Sequence, residues 1–123
     1  MATLIFHVII LTLVLGGCTP KHVTKEPSYY PTQKEIAAAD YGSYPSNYKQ
    51  IIRDFLQTRL KDPSSAEYRY IGEPKKHHSE GTSPKAIDYN YLVKVYINSK
   101  NSYGGYVGEH EYFFYIWNGE VDD

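Results

Sequence analysis

Between Ile87 and Asn98 apolar and polar side chains alternate almost without a break. Ile87, Tyr89, Tyr91, Val93, Val95 and Ile97 fall on one side, with Asp88, Asn90, Lys94 and Asn98 on the other, joined by Leu92 and Tyr96. Successive residues of an extended chain point to opposite faces, so this pattern predicts an antiparallel strand with one face buried. Tyr106–Trp117 repeats it, with Tyr106, His110, Tyr112, Phe114 and Ile116 against Val107, Glu109, Glu111, Phe113 and Tyr115. A shorter alternation over Ala66–Ile71 sets Ala66, Tyr68 and Tyr70 against Glu67 and Arg69. Ser99–Gly105 makes a turn between the two long strands, and Asn118-Gly119 is a tight-turn signal near the end of the chain. Glu73–Lys85, rich in Pro, Lys, His, Ser and Gly, is expected as a loop.

The period changes to a helical one over Asn47–Lys61, where Tyr48, Ile51, Ile52, Phe55 and Leu60 share a stripe with Leu56 beside them. Ser46 is a suitable N-cap, and Pro63 ends the helix by forcing Asp62 out of the helical region. Ile51, Ile52 and Phe55 are the expected contacts with the sheet. Thr32 to Glu35 reads as a capping box, so a short helix is expected at 33–40, ended by a turn at Tyr41–Pro45. Together these elements predict an α+β fold: one main amphipathic helix packed on a small antiparallel sheet of three or four strands.

The other strong pattern is the apolar run Leu4–Leu15, broken only by His7 and Thr12. It is far below the roughly 20 residues a membrane-spanning helix needs and has the length of a signal-peptide core. Small residues follow it, then the only cysteine of the chain, in the order Leu15-Gly16-Gly17-Cys18. This resembles the bacterial lipobox, although Met1-Ala2-Thr3 lacks the Lys or Arg usual at the start of such signals. The resemblance implies cleavage before Cys18, a diacylglyceryl thioether on its sulfur and acylation of the new amine. Thr19, rather than Asp, follows the cysteine, which resembles outer-membrane sorting. The expected organisation is a signal peptide at 1–17, a lipidated Cys18 and flexible linker to 45, with Pro20, Pro27, Pro31 and Pro45, and a domain at 46–123.

Composition narrows the rest. The formal net charge is −1 and residues 1–17 carry no Lys, Arg, Asp or Glu, so the mature part is near neutral. A nucleic-acid binder would show a basic stripe, and none is present. With Cys18 acylated no thiol remains for a disulfide, so the core alone must hold the domain. Tyrosine is the outlier, with 14 copies against 4 Phe and 1 Trp; its apolar body and polar tip suit half-buried sheet surfaces and interfaces.

Candidate chemistry is sparse. His77-His78 with Glu80, and Glu109-His110-Glu111, contain metal-ligating residue types without a metal-site spacing. There is no nucleophile elbow and no phosphate-binding glycine loop, and no cofactor is implied. Asn98–Gly108 is the unusual stretch. It reads structurally as a hairpin connection with a bulge at Gly108, and functionally as a contact loop built on Asn101, Tyr103, Gly104, Gly105 and Tyr106.

Two stretches, Leu60-Lys61-Asp62-Pro63-Ser64-Ser65-Ala66 and Asn98-Ser99-Lys100-Asn101-Ser102-Tyr103-Gly104-Gly105-Tyr106-Val107-Gly108, resemble a group of small uncharacterised bacterial envelope proteins, many of them lipoproteins. The likeness spans roughly residues 44–117 and implies a bacterial envelope setting and the sheet hairpin; the group has no established activity to transfer. The expectation is thus a lipoprotein at the periplasmic face of the outer membrane, held by lipid on Cys18 and acting as a binding or structural module with a protein partner in the envelope. The alternatives are a subunit of a secretion or conjugation apparatus, or an inhibitor or enzyme acting on the cell wall, for which Glu109, His110 and Glu111 are the residues to test.

The anchor has a direct test. Two acyl chains hold a protein stably to a bilayer, so Cys18→Ser should move the protein from the membrane pellet to the soluble fraction after high-speed centrifugation. A variant that still pellets would refute anchoring through this residue.

Overall fold

The structure, a computed structural model, describes residues 28–122. It has the α+β architecture expected: a four-stranded antiparallel sheet with a short and a longer helix. The strands are β1 (Glu67–His78), β2 (Tyr89–Lys100), β3 (Tyr106–Trp117) and β4 (Glu120–Val121), in the order β1-β2-β3-β4. Helix α1 is Gln33–Ala38 and helix α2 is Tyr48–Leu56.

The strand registers follow from the alternation. Val95 of β2 lies between Tyr70 and Tyr112, Ile97 between Tyr68 and His110, and Val93 opposite Phe114. This face carries the core, with Val93, Val95, Ile97, Phe114 and Ile116 buried against Tyr48, Ile52 and Leu56 of α2. The three helix residues are four apart, one row along the helix. Ile51 and Phe55, also expected at the contact, do pack against this core, Phe55 meeting the Phe114 ring edge-on at 6.1 Å, but they are half-buried at its rim. Their row faces β4, where they line a groove with Gly119, Glu120 and Val121, and a two-residue strand gives them little to pack on.

Helix α2 is also shorter than the Asn47–Lys61 expected. Its hydrogen bonding tightens after Leu56, with Gln57 N–H donating to the Asp54 carbonyl (3.2 Å) and Arg59 N–H to that of Leu56 (3.0 Å). Such three-residue spacing ends an α-helix before the downstream proline is reached. Asn47, not Ser46, takes the N-cap position, without a side-chain cap.

Two further expectations are corrected. Strand β1 does not stop at Ile71. A bulge at residues 72–74 shifts the register, Gly72 adopting φ of +73°, and pairing resumes from Lys75 opposite Leu92 to His78 opposite Tyr89. The bulge absorbs Pro74, which lacks the N–H for a regular ladder. His77 and His78 are therefore strand residues, not loop residues.

Residues 29–45, expected as linker, are packed on the sheet. Tyr29 bridges to Gly81, and α1 begins with the expected capping box, Thr32 Oγ1 accepting from Glu35 N–H (3.3 Å) and Glu35 Oε2 from Thr32 N–H (2.8 Å). Tyr41 is 4% exposed and meets Tyr89 and Tyr91 at ring distances of 5.4 and 6.2 Å. Gly42 has φ of +72°, and a Cβ there would fall 2.7 Å from Asn118 Oδ1, which accepts from Ser43 N–H. The packed unit therefore reaches back at least to residue 29. Its anchors are a tyrosine and prolines, which is why the scarcity of aliphatic residues suggests a linker.

Full burial should separate two neighbours on α2. Ile52 is 0% exposed, so Ile52→Ala should cost about 2–5 kcal/mol, while half-buried Phe55→Ala should cost less than its size suggests. Denaturant midpoints of the two variants measure this; an equal or reversed order would place the core on the wrong helix row.

Candidate functional site

The hairpin between β2 and β3 rises beyond the end of the helical layer, and its tip is Asn101–Gly105. Asn101 organises it. Its N–H donates to the Gly105 carbonyl (2.9 Å) and its carbonyl accepts from Gly104 N–H (3.1 Å). Its side-chain Oδ1 accepts from the N–H groups of Tyr103 (2.9 Å) and Gly105 (3.1 Å). Asparagine suits this role because its short amide reaches its own following backbone. Gly104 has φ of +81°, where a side chain is strained. Gly105 is not sterically demanded, since an added Cβ would meet only the Asn101 side chain at 3.8 Å. The result is an ordered tip from which Tyr103 projects, 97% exposed.

The base of the tip is braced by the other unusual stretch. Tyr106 donates its hydroxyl hydrogen to the Ser65 carbonyl at 3.0 Å. Ser65 ends a single 3-10 turn, Pro63–Ser65, capped by Asp62. Asp62 Oδ1 accepts from Ser64 Oγ (2.8 Å) and Ser65 N–H (3.3 Å). The Ser64 and Ser65 hydrogen bonds, helped by Lys100, hold the Asp62 carboxyl below its ordinary range. One strand turn further, Gly108 takes φ of +94° at the expected bulge, and its N–H donates to Asn98 Oδ1 (3.0 Å). Asn98 Nδ2 donates to Glu67 Oε2 (3.1 Å), so one side chain ties β1, β2 and β3 together. The stretches around Asp62 and Asn101, more than 30 residues apart in sequence, thus form one corner of the molecule.

The sheet face away from α2 is open and carries its own polar network. Arg69 grips Glu109 with two hydrogen bonds, Nε to Oε1 (3.0 Å) and Nη2 to Oε2 (2.6 Å), and its guanidinium lies 4.3 Å from the Tyr96 ring centre. Glu111 pairs with Lys94 and accepts from the Tyr96 hydroxyl (2.9 Å). Arg69 lowers the Glu109 carboxyl below its usual range, and Lys94 then Tyr96 lower that of Glu111. A general acid needs the opposite shift. His110 points to the other face, opposite Ile97. The trio Glu109, His110 and Glu111 is therefore divided between two faces rather than brought together.

His77 and His78 do not form a centre either. His77 Nδ1 lies 3.2 Å from Oδ1 of Asn90, and its ring packs 4.9 Å from that of Tyr115. Asn90, placed by its alternation among polar surface residues, is 4% exposed. No local signal could have revealed this, because the pairing of His77 with Asn90 depends on the bulge. Among the described residues no group of three or more His, Cys, Asp or Glu is arranged to hold a metal ion. Cys18 lies outside the described residues, and no described helix is long and apolar enough to cross a membrane.

Comparison with protein-family models, with curated proteins and with solved structures finds no match.

The Asp62 cap predicts a pH-dependent contribution. A carboxyl with a depressed folded-state pKa stabilises above its unfolded value, near 3.9, and that stability is lost as pH falls through the folded value. Asp62→Asn should therefore lower the melting temperature at pH 7 and converge on the parent protein only as pH falls through the depressed Asp62 value. A gap of the same size at pH 7 and at strongly acid pH would show that the charge of Asp62 contributes nothing.

Proposed function

We propose that the protein is a membrane-tethered lipoprotein of the bacterial envelope, held by lipid on Cys18 at the periplasmic face of the outer membrane, and that it acts as a binding module whose hairpin tip meets a protein partner. The observation that carries this reading is Tyr103, 97% exposed on a tip fixed by Asn101. Tyrosine offers a large contact area with few rotatable bonds, and an ordered loop loses little entropy on binding. A tip serving only to reverse the chain has no use for an aromatic ring in solvent.

The placement of the tip supports the tether. The chain enters the described part at Tyr29, bridged to Gly81 just past the His78–Tyr89 end of the sheet. The tip lies at the opposite end, beyond Asn98 and Glu109. Strand β2, with 12 residues, separates the two by about 40 Å at roughly 3.3 Å per residue. The spacer Thr19–Ser28 can reach at most about 35 Å. A lipid on Cys18 would thus hold one end of the sheet near the bilayer and leave the other turned away from it.

A photo-crosslinking residue in place of Tyr103, in intact cells, tests the reading. It should give a discrete protein adduct that is missing when the same residue replaces exposed Lys85 near the tether end. Tyr103→Ala should leave the melting temperature within the small range typical of surface changes, about 0.5 kcal/mol in stability. No adduct at 103, or the same adduct at 85, would defeat the assignment of the tip as the contact.

A further inference from the structure

Among the described residues Asn90 alone is both polar and buried, at 4% exposure. Its Oδ1 meets His77 Nδ1 at 3.2 Å. A carbonyl oxygen can only accept, so this contact puts a proton on Nδ1 of His77. The other end of the amide, Nδ2, donates to no described residue. Yet every fully enclosed polar side-chain atom of the described part has a hydrogen-bond partner. Nδ2 is therefore not enclosed, and it reaches the cavity that Asn90 lines. That cavity, of about 440 Å³, is completed by His77, Ser79, Asp88, Tyr115 and Asp122, and its size is that of a small-molecule site. Its wall is fixed, because Ser79 N–H donates to the Asp88 carbonyl (3.0 Å) and Asp88 N–H to Ser79 Oγ (2.9 Å).

The polar groups of this cavity select its ligand. Asn90 Nδ2 and the hydroxyls of Ser79 and Tyr115 supply donors, while the carboxylates of Asp88 and Asp122 supply acceptors. No Lys or Arg is among the described lining residues. Two carboxylates oppose an anion. An organic ammonium would pair with them but offers only hydrogens to Nδ2, and a buried donor left unsatisfied is costly. An apolar ligand fails both ends. A hydroxyl group donates and accepts at once, and two on adjacent carbons can span both oxygens of one carboxylate. A second cavity, of about 330 Å³, shares Asp88 and Asp122 and adds the rings of Tyr89 and Trp117. Trp117 is 45% exposed, and an indole face beside hydrogen-bonding carboxylates suits the C–H face of a sugar ring.

We propose that these joined cavities form a saccharide-binding site. One neutral sugar ring with vicinal hydroxyls sits over Asn90, bonded by its amide and by Asp88 and Asp122, and a neighbouring ring reaches Trp117. The site lies at the His78–Tyr89 end of the sheet, away from the hairpin tip. It does not depend on the lipid anchor or on a partner at Tyr103.

The probes are the methyl glycosides of glucose, galactose and mannose, titrated into the full-length chain in a sugar-free nonionic detergent. One or more should shift both the Asn90 side-chain amide and the Trp117 indole signals in proton–nitrogen correlation spectra. Putrescine, acetate and glycine, the cationic, anionic and zwitterionic controls, should leave the Asn90 amide signal in place. Asp88→Asn and Asp122→Asn, both at exposed positions, should each weaken the best glycoside about tenfold, the usual cost of losing hydrogen bonds to a charged group. Asn90→Leu should abolish the Trp117 shift; should that variant not fold, the two Asp variants decide. The proposal is overturned if no glycoside moves either signal, if a control moves the Asn90 amide as far as the best glycoside, or if both Asp variants bind that glycoside as tightly as the parent chain.

Discussion

A short helix has to cover long strands, and most of the structure follows from that mismatch. Helix α2 has 9 residues, about 14 Å of length. Strands β1, β2 and β3 have 12 residues each, about 40 Å. The helix can bury only the middle of the sheet, where Val93, Val95 and Ile97 meet Ile52 and its row. Both ends of the sheet must be finished by other means. At one end, residues 29–45 fold back and Tyr41 takes the place of a second core helix. At the other end no described element covers the hairpin, and residues 101–113 are all exposed.

An uncovered hairpin has to hold its register without a core. Here polar pairs do so: Arg69 with Glu109, Lys94 with Glu111, Asn98 across three strands, and Tyr106 on Ser65. Exposed ion pairs contribute little energy, commonly under about 1 kcal/mol each. Their value here is geometric, because a slip of one residue would turn each pair to the wrong face. The abundance of tyrosine fits the same demand. Tyr41, Tyr48 and Tyr91 are buried, Tyr68 and Tyr70 half-buried, and Tyr103 fully exposed. One residue type serves every depth of a sheet whose core is thin.

How much of this was legible in the sequence depended on the range of the signal. Strand β3 was read to its ends and β2 to within two residues, because period-2 alternation is local. The capping box at Thr32 and the Asn118-Gly119 turn were legible for the same reason. The face of α2 that meets the sheet was legible too, but not the depth of each residue on it, since two adjacent rows are apolar and both pack on the core. The second half of β1 was hidden by Gly72 and Pro74, which read as loop until a bulge absorbs them. The tip residues Asn101, Tyr103 and Gly104 stood out by type. Their brace, Tyr106 on the Asp62 turn, joins segments far apart in the chain, and no local pattern encodes such a contact.

The same mismatch sets stability against exposure. Extending α2 by two turns would lay apolar residues along Tyr112 and Phe114, fill the groove beside Phe55 and add to the core. Every methylene buried there would contribute roughly 0.8 kcal/mol, a useful gain for a domain of this size with no disulfide to support it. The chain instead ends its α-helix at Leu56, returns through Asp62 and spends that turn bracing the hairpin. The residues that would extend the core hold the tip upright, and the β3 edge stays open as a result. A domain selected for stability alone would close that edge, so the open edge and the exposed tip share one cause, the short helix that leaves both uncovered.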